Sequence, residues 1–133
     1  MGAARGRRGG MLRGLRHAAS TLTKSPQQIE REELREGTDL HGGTPICDLA
    51  DRQVAVVCGA VRSVTLVPQV HVPALAVELD DGSRTLQLVW LGRREIGGIR
   101  PGTYLKARGR VCRVRSVPTI FNPAYEILPD DGR

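Results

Sequence analysis

One uninterrupted run, from Gln53 to Val67, constrains this chain more than any other segment. Its fifteen residues are rich in valine, contain no proline and carry a single glycine, Gly59, near the middle. β-Branched residues at that density favour an extended backbone. Strands in globular proteins are commonly about five or six residues long, so a strand of this length needs a means of bending. A glycine in mid-strand is the expected device, often accompanied by a bulge. Gly59 therefore predicts one long, sharply bent strand.

The segments after it alternate in the same way. Leu75, Val77 and Leu79 alternate with Ala74, Ala76 and Glu78, the pattern of a half-buried strand. Asp80-Asp81-Gly82-Ser83 predicts a hairpin turn into Arg84–Leu91, where Leu86, Leu88 and Trp90 share one face. Gly92–Ile99 reads as a connector and Pro101-Gly102 as a turn. Tyr104–Val114 is a fourth strand, with Leu105, Ala107, Gly109 and Val111 on one face and Lys106, Arg108 and Arg110 on the other. A turn at Ser116-Val117-Pro118 leads to a fifth, Thr119–Leu128. One long bent strand, a hairpin, a connector and a second hairpin make an all-β core. The expected fold class is a five-stranded OB-fold Greek-key barrel, preceded by N-terminal helical segments and a disordered basic tail.

That barrel is expected over residues 47–128, with a short tail at 129–133. Ahead of it, residues 25–46 read as an acidic helix and linker. Ser25-Pro26-Gln27-Gln28 has the form of an N-cap, a first-turn proline and a glutamine closing a capping box. Gly37 supplies a stop. Only Ile29 and Leu34 are apolar, so the helix is expected to dock weakly or not at all, as a solvated linker. Residues 1–24 form a basic tail, either disordered or a short amphipathic helix, since Leu12, Leu15, Ala18, Ala19 and Leu22 fall at helical spacing. A peripheral membrane contact through residues 11–22 is one use of such a stretch.

The formal charge of +6, from 20 Lys+Arg against 14 Asp+Glu, is unevenly placed. Residues 1–24 hold six basic groups and no acid, and residues 52–115 hold eleven against four. Between them, residues 25–51 carry seven acids against two arginines. Arginine supplies eighteen of the twenty cations, which favours phosphate contacts and suits a GC-rich bacterial genome. The three cysteines, Cys47, Cys58 and Cys112, form no CxxC or CxxH pair, so no metal is expected. Their odd number suits a reducing compartment, and the cytoplasm is the expected location.

The series Val57–Val64, Val77–Ser83, Leu86–Gly92, Pro101–Val111 and Phe121–Ile127 resembles the nucleic-acid-binding OB domains of the tRNA-anticodon-binding type. It is similar to the wedge domain of the branched-DNA helicase, which has a comparable Pro-x-Tyr-Glu stretch in its last strand. It looks closest to small stand-alone actinobacterial OB-fold proteins, which carry a Glu-Glu-Leu-Arg-Glu helix like Glu32–Glu36. The resemblance covers about residues 27–128 and implies nucleic-acid binding by analogy of fold. No helicase motor motif accompanies it.

A single-strand site of this kind combines a cationic groove with aromatic platforms for bases. The candidate contacts are Arg62, Gln87, Arg93, Arg94, Arg113 and Arg115, with Gln69–His71 near them. Lys106, Arg108 and Arg110 form a second stripe, read either as part of the groove or as a solvated strand face. Aromatic platforms are scarce: Trp90 is expected in the core, and Tyr125 packed at the base of the last strand. Phe121 is the one candidate for stacking, although core is the better reading for it as well. Base selectivity is then low, and affinity mainly electrostatic. His17, His41 and His71 lie far apart, Asp80 and Asp81 belong to a turn, and no nucleotide-binding or nucleophile motif is present. The chain reads as a non-enzymatic protein without a cofactor, binding single-stranded or structured DNA or RNA through phosphates with low sequence specificity. The alternative is an OB-fold adaptor for a protein partner, with its N-terminal helix as a route to membrane association.

Overall fold

The computed structural model describes residues 24–68 and 71–129. The basic tail up to residue 23, Gln69, Val70 and the last four residues lie outside them. Helix α1 spans Pro26–Leu40, a 3-10 turn spans Ile46–Asp48, and six strands follow: β1 Val54–Val67, β2 Ala74–Asp80, β3 Thr85–Leu91, β4 Tyr104–Val114, β5 Val117–Phe121 and β6 Ala124–Ile127. The ring closes in the order β1-β2-β3-β5-β4 and back to β1; β3 and β5 are parallel and the other ring pairs antiparallel. This is an OB-like barrel with an N-terminal helix.

Closure depends on β1 changing partners. Val54–Ala60 pairs with β4, whereas Ala60–Val67 pairs with β2, so Ala60 belongs to both ladders. Gly59 lies at the hand-over. A Cβ there would stand 2.5 Å from the carbonyl oxygen of Asp80, so the crossing backbones leave room for hydrogen alone. The register slips one position on, between Val61 and Ser63, which makes Arg62 the bulged residue.

Inside the ring, Val57, Val77, Leu79, Leu86, Leu88, Leu105, Val111 and Ile120 are fully buried. Trp90 closes this core and donates its indole N–H to the Pro123 carbonyl at 3.2 Å. The expected single last strand is divided in two. Asn122 adopts a positive φ of 51° and Pro123 has no N–H to offer a ladder, so pairing stops after Phe121 and resumes at Ala124. Asn122 compensates by receiving the Leu91 N–H on Oδ1 and donating its own N–H to the Val89 carbonyl.

The helix departs further from expectation. Its capping box forms as the sequence predicts: Gln28 N–H donates to Ser25 Oγ at 3.2 Å and Ser25 N–H to Gln28 Oε1 at 2.9 Å. The stop does not. The helix runs through Gly37, which lies against the Tyr104 phenol with no room for a Cβ, and it ends at Leu40, two residues before Gly42 with φ 74°. From Arg31 onward it is docked, chiefly through polar groups, which is why counting apolar positions underestimated it. Arg31 Nη1 lies 3.4 Å from Asp80 Oδ2, and Arg35 Nε donates to the Gly82 carbonyl. Thr38, 1% exposed, hydrogen-bonds to the Cys58 carbonyl.

Burial under this cover raises the Cys58 thiol from 9.0 to about 11, with desolvation as the leading cause. At about pH 8 it is therefore a neutral thiol and a poor nucleophile. A thiol reagent under native conditions will label exposed Cys47 promptly and spare Cys58 until the protein is unfolded. Equal labelling rates for the two would contradict the docked helix. No helix among the described residues is long and apolar enough to cross a membrane.

Candidate functional site

Strand alternation builds one continuous outer face on β2, β3 and β5. With Leu75, Val77, Leu86, Leu88 and Ile120 committed to the core, the intervening residues must point outward. Register then places them in rows. Ser63, Glu78, Gln87, Thr119 and Cys112 follow one another across the strands as a polar row. The next row, toward the C-terminal end of β3, is Thr65, Ala76, Val89 and Phe121. Val67, Ala74 and Leu91 form a third. Ala74 and Ala76 keep β2 low, and Val89 on β3 separates them from Phe121, which stands on β5 with 44% of its surface exposed. Phe121 is therefore an outer-face residue and not part of the core. Tyr125 is also partly exposed, at 40%, and meets Trp90 edge-on at 5.7 Å.

The candidate cations do not all converge on this face. Gln87 lies at its centre, half-buried between Glu78 and Thr119. Arg93 and Arg94 are exposed just beyond the C-terminal end of β3. Arg115 is exposed in the β4–β5 turn, and because β5 runs parallel to β3, that turn lies at the opposite end of the face. Arg115 and Ser116 both hold positive φ, 52° and 69°, the conformation of a tight two-residue hairpin turn. Two non-glycine residues in that region cost on the order of 1 kcal/mol each.

Arg62 and Arg113 are engaged elsewhere. Arg62 Nε lies 3.1 Å from Asp80 Oδ2, so Asp80, 4% exposed, bridges Arg62 on the bulge and Arg31 on the helix. Arg113 shares strand parity with Val111 and donates to the Leu49 carbonyl at 3.3 Å, at the end of the barrel, instead of standing beside Arg115. Asp81 is equally committed. Its Oδ1 accepts from the backbone N–H of Ser83 and Arg84 and from Ser83 Oγ, and its Oδ2 from the Ile46 N–H. The two carboxylates hold the β2–β3 turn, the bulge and the 3-10 turn together. Among the described residues no group of His, Cys, Asp and Glu is placed to hold a metal ion.

Alternation in the sequence already puts Lys106, Arg108 and Arg110 on one side of β4. Their neighbour across the sheet is not legible there. Val111 pairs with Ile120, so Arg110 and Phe121 are the next positions on adjacent strands, both outward. The stripe thus begins where the β2–β3–β5 face ends. One sequence signal for this existed: Asn122-Pro123, which ends β5 directly after Phe121.

No family model and no curated protein sequence matches this chain. Solved structures do. The HINb domain of p204 is similar with a TM-score of 0.55 and 11% identity, covering 68% of this chain and 49% of that one. RecG bound to a three-way DNA junction is similar with a TM-score of 0.51 and 19% identity, covering 67% of this chain and 13% of RecG. The chain thus spans about half the length of the first structure and a small part of the second. At these identities the likeness is one of fold, and it agrees with the strand order: an OB-like barrel.

Proposed function

We propose that this chain is a non-enzymatic, cytoplasmic nucleic-acid-binding protein that takes single-stranded or structured DNA or RNA on the outer face of β2, β3 and β5. The observation that carries this reading is the exposed Phe121 on the outer sheet face beside Val89, with Gln87 at the centre of that face and exposed arginines beyond both ends. An exposed ring offers a base a stacking partner of any sequence, and arginines offer phosphates a charge. The similarity to RecG, solved with a three-way DNA junction, supports the same reading. Phosphate contacts carry no base identity, so sequence preference is low.

Titrating labelled single-stranded, duplex and forked oligonucleotides at two salt concentrations tests it. Unrelated single strands should bind with similar affinity, and binding should weaken steeply as salt rises. Affinity insensitive to salt, or absent for every oligonucleotide, would sink the proposal. A second reading, an adaptor for a protein partner, is favoured by Leu91 and Val72, exposed apolar residues at the same end of β3 as Phe121. Absence of oligonucleotide binding is its expected outcome. The membrane contact expected through residues 11–22 lies outside the described residues.

A further inference from the structure

The outward side of β4 carries a feature that the face of β2, β3 and β5 does not use. Leu105, Ala107 and Val111 are at most 1% exposed, and this burial fixes Lys106, Arg108 and Arg110 on the outside. Alternate residues of a strand stand about 6.8 Å apart. That is close to the separation of neighbouring phosphates on an extended nucleic-acid strand. Val56 and Val54 lie opposite Arg108 and Arg110 on β1, and Glu126 and Ala124 opposite Lys106 and Arg108 on β6, whereas Cys58, opposite Lys106, lies under the helix. Glu126, paired with Lys106, is the one acid in register with it among the described residues.

Arg108 is exposed and has no side-chain hydrogen bond or ion pair with a described residue. Arg110 gives one guanidinium N–H to the Arg52 carbonyl at 2.7 Å, an anchor that leaves its other donors available. Arg52 is itself exposed, and its N–H donates to the Val111 carbonyl, which brings a fourth cation alongside. At the Arg110 end the ladder meets Phe121, one residue beyond the Val111–Ile120 pair.

We propose that Lys106, Arg108 and Arg110 form a phosphate track for one strand of nucleic acid, and that the strand places an unpaired base on Phe121 where the track ends. The proposal rests on the nucleic-acid reading above and deepens it. It names a single strand as the ligand, because a base stacks on an exposed ring only when it is free of its duplex partner. It also assigns the main phosphate contacts to β4 and not to the arginines at the ends of the β2–β3–β5 face.

The test uses the full chain and a labelled oligothymidylate, with a duplex of the same length for comparison. Replacing two track residues, Arg108→Ala with Arg110→Ala, should weaken single-strand binding on the order of 20-fold at about 0.1 M salt and lower the salt slope by about 1.4. A matched double variant at exposed positions off the track, Arg84→Ala with Arg100→Ala, should bind nearly as the parent does. Arg108→Lys with Arg110→Lys keeps both charges and should retain most of the affinity, which guards against misfolding of the alanine variant. Equal losses in the two alanine pairs would mean that total charge alone matters, and would overturn the track. So would a track variant that binds like the parent; in both cases the nucleic-acid reading stands. Failure of the unaltered protein to bind any oligonucleotide, with or without binding to an acidic protein or anionic vesicles, would overturn both.

Discussion

Replacing Gly59 with valine is expected to destabilise the barrel by about 3 kcal/mol, the upper part of the usual range for point mutants. The reason is not glycine's conformational freedom but the approach of another backbone. The first side-chain carbon would lie 2.5 Å from the Asp80 carbonyl oxygen and 2.9 Å from its carbon, and neither is the flexible end of a side chain. Relief requires β1 to move off β2 at the point where it passes from one partner strand to the other. The Asp80 carboxylate, which joins Arg31 and Arg62, moves with that backbone. Urea denaturation should show the midpoint falling by about 1–3 M with little change in slope. Gly59→Ala should follow in the same direction, since the clash begins at Cβ. An unchanged midpoint would show that the two strands do not cross as closely as described.

The second large effect concerns binding. Phe121→Ala should weaken single-strand affinity by about 2 kcal/mol, roughly 30-fold, the loss of one stacked base. Stability should fall by no more than about 1 kcal/mol, because Phe121 is 44% exposed and lies outside the buried core cluster. Phe121→Tyr keeps a stacking surface and should keep most of the affinity. The salt slope distinguishes this change from the arginine replacements: removing a ring releases no counterions, so the slope stays as it was. An alanine variant that binds like the parent would mean that contact is electrostatic throughout and that Phe121 is not a platform.

These two residues show how differently information is stored along the chain. The role of Gly59 was legible in one segment, because a single glycine within a long valine-rich run has few uses. The exposure of Phe121 was not, because an isolated aromatic in an apolar strand is more often core. It faces outward because Ile120 beside it is the residue taken into the barrel, and because Asn122 turns the chain directly afterwards. The contacts of Arg62 and Arg113 were not legible for a related reason. A bulge rotates Arg62 to Asp80, and strand parity sends Arg113 to the Leu49 carbonyl.

What the sequence determined by itself is local. Period-two alternation set which residues of β2, β3 and β4 are inside, Asp80–Ser83 set the hairpin, and Ser25 with Gln28 set the start of the helix. Each follows from contacts between residues close in the chain, where propensity and pattern act directly. The tertiary structure alone decided which strands are neighbours. The parallel pairing of β3 with β5, the docking of Arg31 and Arg35 on the β2–β3 turn, and the meeting of Arg110 with Phe121 join residues distant in sequence. Alternation assigns a residue to a face, but it does not name the residue across the sheet. That depends on ring closure, and closure depends on β1 passing from β4 to β2 beside Gly59.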